Sequence, residues 1–240
     1  MSKDQLDSLQ GHPVVSAPDW LAARSALLEK EKAFSRSRED LARERRALPW
    51  ERVERQYMFR GPGGEESLRD LFGVHSQLVV YHFMFNPESD AGCPHCSFWA
   101  DHYDGMLLHL DRRDVSFVVI SRAPLDKIGA FRKRMGWRFK WLSSGNTDFN
   151  YDYRASFTPA AVASGSVFYN YKQSPAGPAD REGISVFYKD DADAVFHTYS
   201  CYARGIDMVN GTYQFLDLVP KGRDEDPGDP QSWVRYHDRY

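Results

Sequence analysis

One segment, 78–85, constrains the fold more than any other part of the chain, because its side chains are almost all apolar. A strand with that pattern is typical of a sheet covered on both faces. Segment 114–121 repeats the pattern, and amphipathic helices are predicted after each strand, from about 93 to 110 and from 124 to 135. This strand–helix–strand–helix order predicts parallel core strands joined by right-handed crossovers.

The remaining segments predict an α/β fold with a central mixed sheet and flanking helices. Segments 183–189 and 194–199 are rich in β-branched and aromatic residues and flank a polar turn, which predicts a β-hairpin. A short strand is expected at 137–142 and a closing helix at about 203–217. Segment 143–182 is rich in Gly, Ser, Asn, Tyr and Pro, which predicts an irregular excursion from the sheet.

The two ends of the chain are predicted to lie outside the core domain at 49–220. Residues 1–17 are expected to be a flexible lead, and residues 18–48 a long charged helix. The C-terminal tail, 221–240, is expected to be polar and mobile in its first half and to dock through its aromatic end. On the long helix, five large apolar side chains lie seven residues apart: Trp20, Leu27, Phe34, Leu41 and Leu48. We expect them to pack either against the same chain or against a second copy in a homodimer.

Composition narrows the functional classes. With 240 residues and a net charge of −3, the chain is not expected to bind nucleic acid or an anionic membrane. No apolar run approaches the roughly 20 residues that span a bilayer, and the acidic start does not resemble a secretory signal. Three cysteines are too few for a disulfide scaffold. We therefore expect a cytoplasmic protein, in which paired cysteines are reactive or metal-binding more often than structural.

The candidate catalytic pair is Cys93 and Cys96, which open the helix after the first core strand. The unpaired N–H groups and the dipole of a first helical turn favour a negative sulfur. Pro94 suits that turn because it has no N–H to lose, and a protonated His95 adds a positive charge beside Cys93. The motif predicts thiol–disulfide chemistry on an unidentified thiol or disulfide, with no further cofactor.

The helix pattern assigns a different role to each sulfur. Cys96 begins an apolar stripe, whose further members are Trp99, Ala100, Tyr103, Leu107 and Leu110. Cys93 instead lies where the loop becomes the helix. We expect Cys93 to be an exposed thiolate that attacks the substrate, and Cys96 to be a partly buried thiol that resolves the mixed disulfide.

Other polar residues leave alternatives open. A zinc-stabilised or redox-silent binding module is the alternative function, because four residues have a spacing compatible with tetrahedral zinc: Cys93, Cys96, His197 and Cys201. His82, within the apolar strand, is interpreted as a core histidine. Arg122 follows the second core strand and either binds a carboxylate or thiolate there or forms a loop salt bridge. The cluster 148–153 either lines a pocket or packs the excursion.

Several motifs together resemble one known family. The element order is similar to the thioredoxin fold, and the opening at 57–72 is similar to its peroxiredoxin-type variant. Segments 92–101, 121–125, 134–137 and 197–205 resemble the bacterial domain-of-unknown-function family 899, commonly labelled a predicted dithiol–disulfide oxidoreductase. The resemblance implies a redox pair within a wider motif of supporting residues: Cys93 and Cys96, with Gly92, Pro94, His95 and Trp99.

Two positions differ from the wider superfamily. Thioredoxins place a cis-proline before the strand that faces the cysteines, whereas this chain has Glu182 and Gly183, and Gly183 is expected to let a substrate backbone approach. Peroxiredoxins place a threonine four positions after a proline, whereas Ala91 follows Pro87 at that spacing, so efficient peroxide reduction is not expected. The Pro-His pair between the cysteines is similar to that of the periplasmic disulfide-forming oxidase and implies an acidic Cys93 thiol.

Overall fold

A computed structural model describes Ser8–Leu9 and residues 11–240, and the chain forms two compact units, Met1–Leu48 and Pro49–Tyr240. In the first unit, strands β1 (Ser8–Leu9) and β2 (His12–Pro13) pair antiparallel and precede helix α1 (Ala17–Arg46). The Ser16 hydroxyl caps α1 by accepting a hydrogen bond from the Asp19 N–H. The helix lies within two residues of its predicted bounds, and none of its residues is buried. Residues 1–7 and 10 of the predicted flexible lead lie outside the described residues.

The second unit contains one large sheet, a small hairpin and short helices. Its strands are β3 (Glu51–Arg52), β4 (Met58–Gly61), β5 (Gly64–Ser67), β6 (Gln77–His82), β7 (Val115–Ser121), β8 (Lys140–Ser143), β9 (Ser166–Tyr169), β10 (Lys172–Pro175), β11 (Gly183–Lys189) and β12 (Val195–Tyr202). Its α-helices are α2 (Pro94–Ala100), α3 (Leu107–Asp111), α4 (Leu125–Arg134), α5 (Phe149–Asp152), α6 (Pro159–Ala163) and α7 (Gly211–Leu216), with 3₁₀ helices at Asp70–Phe72, Ala203–Val209 and His237–Arg239.

Eight strands form a mixed sheet in the order β3-β12-β11-β6-β7-β8-β4-β5. Strands β6, β7 and β8 run parallel, whereas β11 is antiparallel to both β6 and β12. The predicted parallel core strands and the β11–β12 hairpin are therefore confirmed. The central order β7-β6-β11-β12 is that of a thioredoxin fold, and the β4–β5 hairpin lies in segment 57–72, which resembles the peroxiredoxin-type variant.

Both faces of the sheet are covered, as the apolar pattern of β6 predicts. Leu78 and Val80 pack into the hydrophobic cluster on one face, whereas Tyr81 packs into the cluster on the other face. Alternate residues of a strand point to opposite faces, so one strand contributes to both clusters. Cys96 and Trp99 of α2 belong to the Tyr81 cluster, which places the cysteine-bearing helix on that face.

Two helices are shorter than the sequence predicts. Helix α2 ends at Ala100, and it is separated from α3 by turns in which the N–H groups of His102, Tyr103 and Met106 bond carbonyls three residues back. The closing helix predicted at 203–217 is a 3₁₀ helix followed by α7. Asn210 divides them, since its backbone is extended and its side chain caps α7 at the Tyr213 N–H.

The C-terminal segment contacts the rest of the fold at several points, first at Arg223. The Arg223 guanidinium lies 3.9 Å from the centre of the Tyr213 ring and bonds the Asp217 carboxylate. Further along, Trp233 and Tyr236 pack against the cluster that contains the cysteines.

In the described part of the chain, none of the helices combines the length and apolar character that crossing a bilayer requires.

The excursion at 143–182 has structure of its own. It contains α5, α6 and the β9–β10 hairpin, and its apolar residues form a small cluster with Tyr202 of β12. The 148–153 segment packs the excursion instead of lining a pocket, because Phe149 lies in the core and Asp148 and Asp152 both bond Arg55. The excursion therefore packs against the main sheet at Tyr202.

Candidate active site

Cys93 is the N-cap residue of α2, at the end of the loop that leaves β6. Its backbone is extended, and its N–H donates to the carbonyl oxygen of Met84 at 3.0 Å. Gly92 has no room for a side chain, because a Cβ there would lie 2.6 Å from Phe83 Cε1. Pro94 takes the first helical position. The loop therefore holds the Cys93 sulfur in a fixed place at the first turn of α2.

Cys96 lies one turn further along and is only 1% exposed. Its sulfur accepts a hydrogen bond from the Met84 N–H at 3.4 Å. Cys93 is partly exposed, which is less open than the sequence predicts, because the Tyr236 hydroxyl donates to the neighbouring Gly92 carbonyl at 2.7 Å. Cys93 and Cys96 are both thiols, one at the surface of the helix start and one in the core.

The surroundings shift the two thiol pKa values in opposite directions. A hydrogen bond from the Cys96 thiol, opposed by burial and supported by His95 and the Cys96 N–H, lowers the pKa of Cys93 to about 5. Burial, followed by the neighbouring Cys93, raises the pKa of Cys96 well above its ordinary value. The hydrogen bond to Cys93 also raises the pKa of His95, so imidazolium and thiolate stabilise each other.

Glu182 is a charged group at the site to which the sequence analysis assigned no role. It directly precedes β11 and lines the same cavity as His95 and Cys96. Within the described residues its carboxylate has no salt-bridge partner, and the Tyr169 hydroxyl lies 3.5 Å from its Oε1. Burial, and then the negative charge of Cys93, raises the pKa of Glu182. A lone glutamate ahead of a strand carries no periodic signal, so only the tertiary structure identifies it.

Trp99 fixes the position of helix α2. It is buried, and its Nε1–H donates to the carbonyl oxygen of Ile206 at 3.0 Å, which ties α2 to the 3₁₀ helix after β12. Its ring packs edge-on against Tyr213 of α7 at 5.7 Å. Trp99 therefore holds the helix that carries both thiols against the C-terminal part of the fold.

Arg122 and Gly183 each have structural partners outside the cysteine motif. The Arg122 Nε–H donates to Asp180 at 2.7 Å and the guanidinium also bonds the Tyr151 hydroxyl, so it forms the loop salt bridge that was one of its two interpretations. A Cβ on Gly183 would lie 2.5 Å from Tyr202 Cδ1, so this glycine is needed for packing. That Gly183 lets a substrate backbone approach stays a prediction.

The predicted zinc alternative is also wrong for the residues that the structure describes. No three side chains among their His, Cys, Asp and Glu residues are grouped to hold a metal ion. His197 lies on the other face of the sheet, with its ring 5.5 Å from Phe187 and its Nε2 2.7 Å from the Ser200 hydroxyl. The hairpin thus points His197 away from Cys93 and Cys96.

His82 is a core histidine, as predicted. It is fully buried, its Nε2 lies 2.9 Å from the Ser185 hydroxyl, and its ring stacks on Phe149 at 5.5 Å. The Ser185 hydroxyl in turn lies 2.8 Å from that of Ser200, so a chain of polar groups links His82 to His197. Burial, and then the nearby His197, lowers the pKa of His82 to about 3.

A family model described as "Bacterial protein of unknown function (DUF899)" matches residues 9–240. None of the curated proteins compared with the chain matches it in sequence. Among solved structures, a cysteine-to-serine mutant of peroxiredoxin Q from Xanthomonas campestris is 13% identical, with a TM-score of 0.45 over 67% of this chain and 90% of that one. Peroxidoxin BcpB from Mycobacterium tuberculosis is 15% identical, with a TM-score of 0.43 over 66% and 91%. A putative thiol:disulfide interchange protein DsbE from Chlorobium tepidum is 11% identical, with a TM-score of 0.40 over 71% and 97%.

Proposed function

The chain belongs to the DUF899 family of bacterial proteins, and we propose that it is a thiol–disulfide oxidoreductase in which Cys93 attacks and Cys96 resolves. One observation carries the proposal, namely that one helical turn holds a partly exposed thiol at its N-cap and a buried thiol behind it, an arrangement that shifts their pKa values in opposite directions. Thiolate is the reactive form of cysteine, so only Cys93 is ready to attack near neutral pH. Cys96 lies behind it as a protonated thiol.

In the reducing direction, the Cys93 thiolate attacks one sulfur of a substrate disulfide. The substrate S–S bond breaks, one thiolate leaves and takes up a proton, and the other half remains bound to Cys93 as a mixed disulfide. Cys96 then loses its proton and attacks the Cys93 sulfur, which closes the Cys93–Cys96 disulfide and releases the second thiolate. Two electrons pass from the protein to the substrate, and an external dithiol restores the reduced pair. The same steps in reverse oxidise a substrate dithiol.

Loss of the Cys93 charge during the first step makes the second step easier. While Cys93 is a thiolate, its negative charge helps to keep Cys96 protonated. Once Cys93 is in a mixed disulfide, that charge is gone, and the pKa of Cys96 falls towards values at which it can ionise. Glu182, which lines the cavity with Cys96, is a nearby group that can accept the proton.

A trapping experiment tests this division of labour. Reduced protein is mixed with a small, uncharged pyridyl disulfide whose leaving thiol is coloured. The unsubstituted protein should release two equivalents of the coloured thiol and keep no adduct. Cys96→Ser should release one equivalent and retain a stable adduct on Cys93, because serine preserves a hydrogen-bond donor but cannot resolve the disulfide.

Two control variants define the outcome. Cys93→Ser should react slowly, because the remaining motif thiol is buried and protonated, whereas Cys201→Ser should behave as the unsubstituted protein. Equal trapping in Cys96→Ser and Cys93→Ser, located by mass spectrometry, would contradict the proposed roles.

A further inference from the structure

A cavity of about 300 Å³ lies beside the buried thiol. One wall comes from Tyr81 of β6 and from His95 and Cys96 of α2, and the opposite wall from the 3₁₀ helix at Ala203–Val209 and the C-terminal segment. Cys93 adjoins this cavity through its neighbours His95 and Cys96, which line it. The volume is at the lower end of the range for small-molecule sites. A cavity of this size can hold a small disulfide that has only a few non-hydrogen atoms attached to each of its sulfurs.

The protein's own chain covers the surface where a protein substrate would dock around the helix start. The Tyr236 hydroxyl bonds the Gly92 carbonyl, and the Trp233 ring packs edge-on against Phe98 at 5.3 Å. His237 Nδ1 lies 2.7 Å from the Asp101 carboxylate at the far end of α2. The C-terminal segment therefore runs along the helix that carries the cysteines.

The backbone ahead of Glu182 is also occupied. An extended peptide binds a sheet edge by pairing with free N–H and C=O groups. Here the excursion takes those positions: the Phe157 N–H donates to the Ala179 carbonyl and the Arg181 N–H to the Ala155 carbonyl, both at 2.8 Å. A peptide substrate cannot pair with residues 179–181 unless the excursion moves.

Two polar groups of the cavity lack a strong partner of their own. The Tyr81 hydroxyl is fully buried and has no hydrogen-bond partner within the described residues. Glu182 lines the cavity without a salt-bridge partner there, whereas Arg223 is already paired with Asp207 and Asp217. A largely enclosed carboxylate that forms no salt bridge favours a ligand that brings a cation to pair with it.

We propose, resting on the thiol–disulfide function above, that the substrate is a low-molecular-weight disulfide, or the corresponding thiol, that carries an ammonium group. The ammonium group pairs with Glu182 while the disulfide reaches Cys93. The sulfur chemistry is unchanged: Cys93 attacks, one aminothiol leaves, and Cys96 closes the protein disulfide and releases the second. Protein disulfides are poor substrates because the C-terminal segment and the excursion exclude them.

The test compares two disulfides of equal chain length, cystamine with two ammonium groups and dithiodipropionate with two carboxylates. Each is mixed in excess with the reduced full-length protein at about pH 7.5, well above the Cys93 pKa. Rates of Cys93 disulfide formation are divided by those of a free small thiol, which removes the intrinsic difference between the two reagents. Insulin, with its protein disulfides, is tested in parallel.

The normalised rate for cystamine should exceed that for dithiodipropionate about tenfold, and insulin should react no faster than with a free thiol. In Glu182→Gln the preference for cystamine should largely disappear, whereas Glu88→Gln, the same change at an exposed position, should keep it. The ratio of two substrates on one variant is independent of any change in Cys93 reactivity.

An unchanged ratio in Glu182→Gln, or rapid reduction of insulin, would overturn the substrate assignment while leaving the oxidoreductase function intact. Failure of Cys93 to react faster than a free thiol with any of the three disulfides would instead refute the function on which the assignment rests.

Discussion

At the scale of single residues, hydrogen bonds in the first turn of α2 separate the chemistry of two identical side chains. The Cys96 thiol and N–H and the His95 side chain all stabilise negative charge on Cys93. Burial raises the pKa of Cys93, but by less than these hydrogen bonds lower it. At Cys96 burial dominates, and the neighbouring Cys93 raises the pKa of this thiol further. The same helix start therefore holds one thiolate and one thiol.

His82 offers a prediction that is independent of the cysteines. Its folded-state pKa of about 3 lies below the ordinary histidine value of about 6.5. The unfolded chain therefore binds the proton more readily, so stability should fall as the pH drops from about 6.5 towards about 3. In His82→Phe, which keeps a ring against Phe149, this loss should be smaller by a few kcal/mol, as measured by urea unfolding at several pH values.

A histidine-to-phenylalanine substitution at the exposed His109 provides the matched control, because it makes the same chemical change outside the core. His109→Phe should retain the full acid sensitivity of the unsubstituted protein. If His82→Phe loses stability with falling pH as steeply as the control, the buried neutral histidine is not a source of the acid sensitivity.

At the scale of elements, the C-terminal segment determines how open the site is. Tyr236 contacts the loop before α2 through one hydrogen bond, and its ring also packs over the Arg134 guanidinium at 4.7 Å. The Arg134–Asp238 salt bridge ties the same segment to α4. The segment is therefore attached at several points, of which the Tyr236 hydroxyl is the one next to Cys93.

Tyr236→Phe should weaken the contact between the C-terminal segment and the loop before α2, while the other contacts of the segment remain. Loss of this hydrogen bond should cost about 1 kcal/mol of stability and raise the alkylation rate of Cys93 severalfold, measured at about pH 8, where Cys93 is ionised in both proteins. Tyr240→Phe makes the same chemical change in the same segment, away from the loop. Equal Cys93 rates in both variants would show that the Tyr236 contact does not limit access.

The sequence predicts elements where local pattern decides them, and the errors have physical reasons. Core strands β6 and β7 follow from their apolar runs, and α1 from its charged sequence with apolar residues seven apart. The break at Asn210 depends on one side chain that caps the next helix, and a helical pattern does not record this. The packing of the C-terminal segment depends on partners more than a hundred residues away.

The candidate site divides in the same way. Cys93, Pro94, His95 and Cys96 are adjacent in sequence, so the helix start brings them together whatever the rest of the fold does. Glu182 reaches them only because β11 pairs with β6, and no local signal marks it. Arg122 follows a core strand as a ligand-binding residue would, but its partner Asp180 comes from the excursion.

At the scale of the whole molecule, the Cys93 thiolate links redox state to stability. Its folded-state pKa of about 5 is below the ordinary value of about 8.5, so its contribution is fully present above about pH 8.5 and is lost as the pH falls through about 5. The oxidised protein has no such group. As the pH rises from about 5 to 8.5, the free energy of unfolding measured with urea should therefore increase by a few kcal/mol more for the reduced form than for the oxidised form.

The same difference should disappear in Cys93→Ser, which cannot form either the thiolate or the motif disulfide. Stabilisation of the reduced form also makes the disulfide easier to reduce, so its potential should lie above the value of about −270 mV of thioredoxin. Parallel pH profiles for the reduced and oxidised proteins would contradict a stabilised thiolate.

The inequality of the two motif thiols is tested most directly by alkylation of the reduced protein over a range of pH, with each site quantified by mass spectrometry. Cys93 should react with a midpoint at about pH 5, and Cys96 should stay almost unmodified until the pH is far above that midpoint. A Cys93 midpoint near the ordinary thiol value of about 8.5, or a Cys96 that ionises first, would contradict the account.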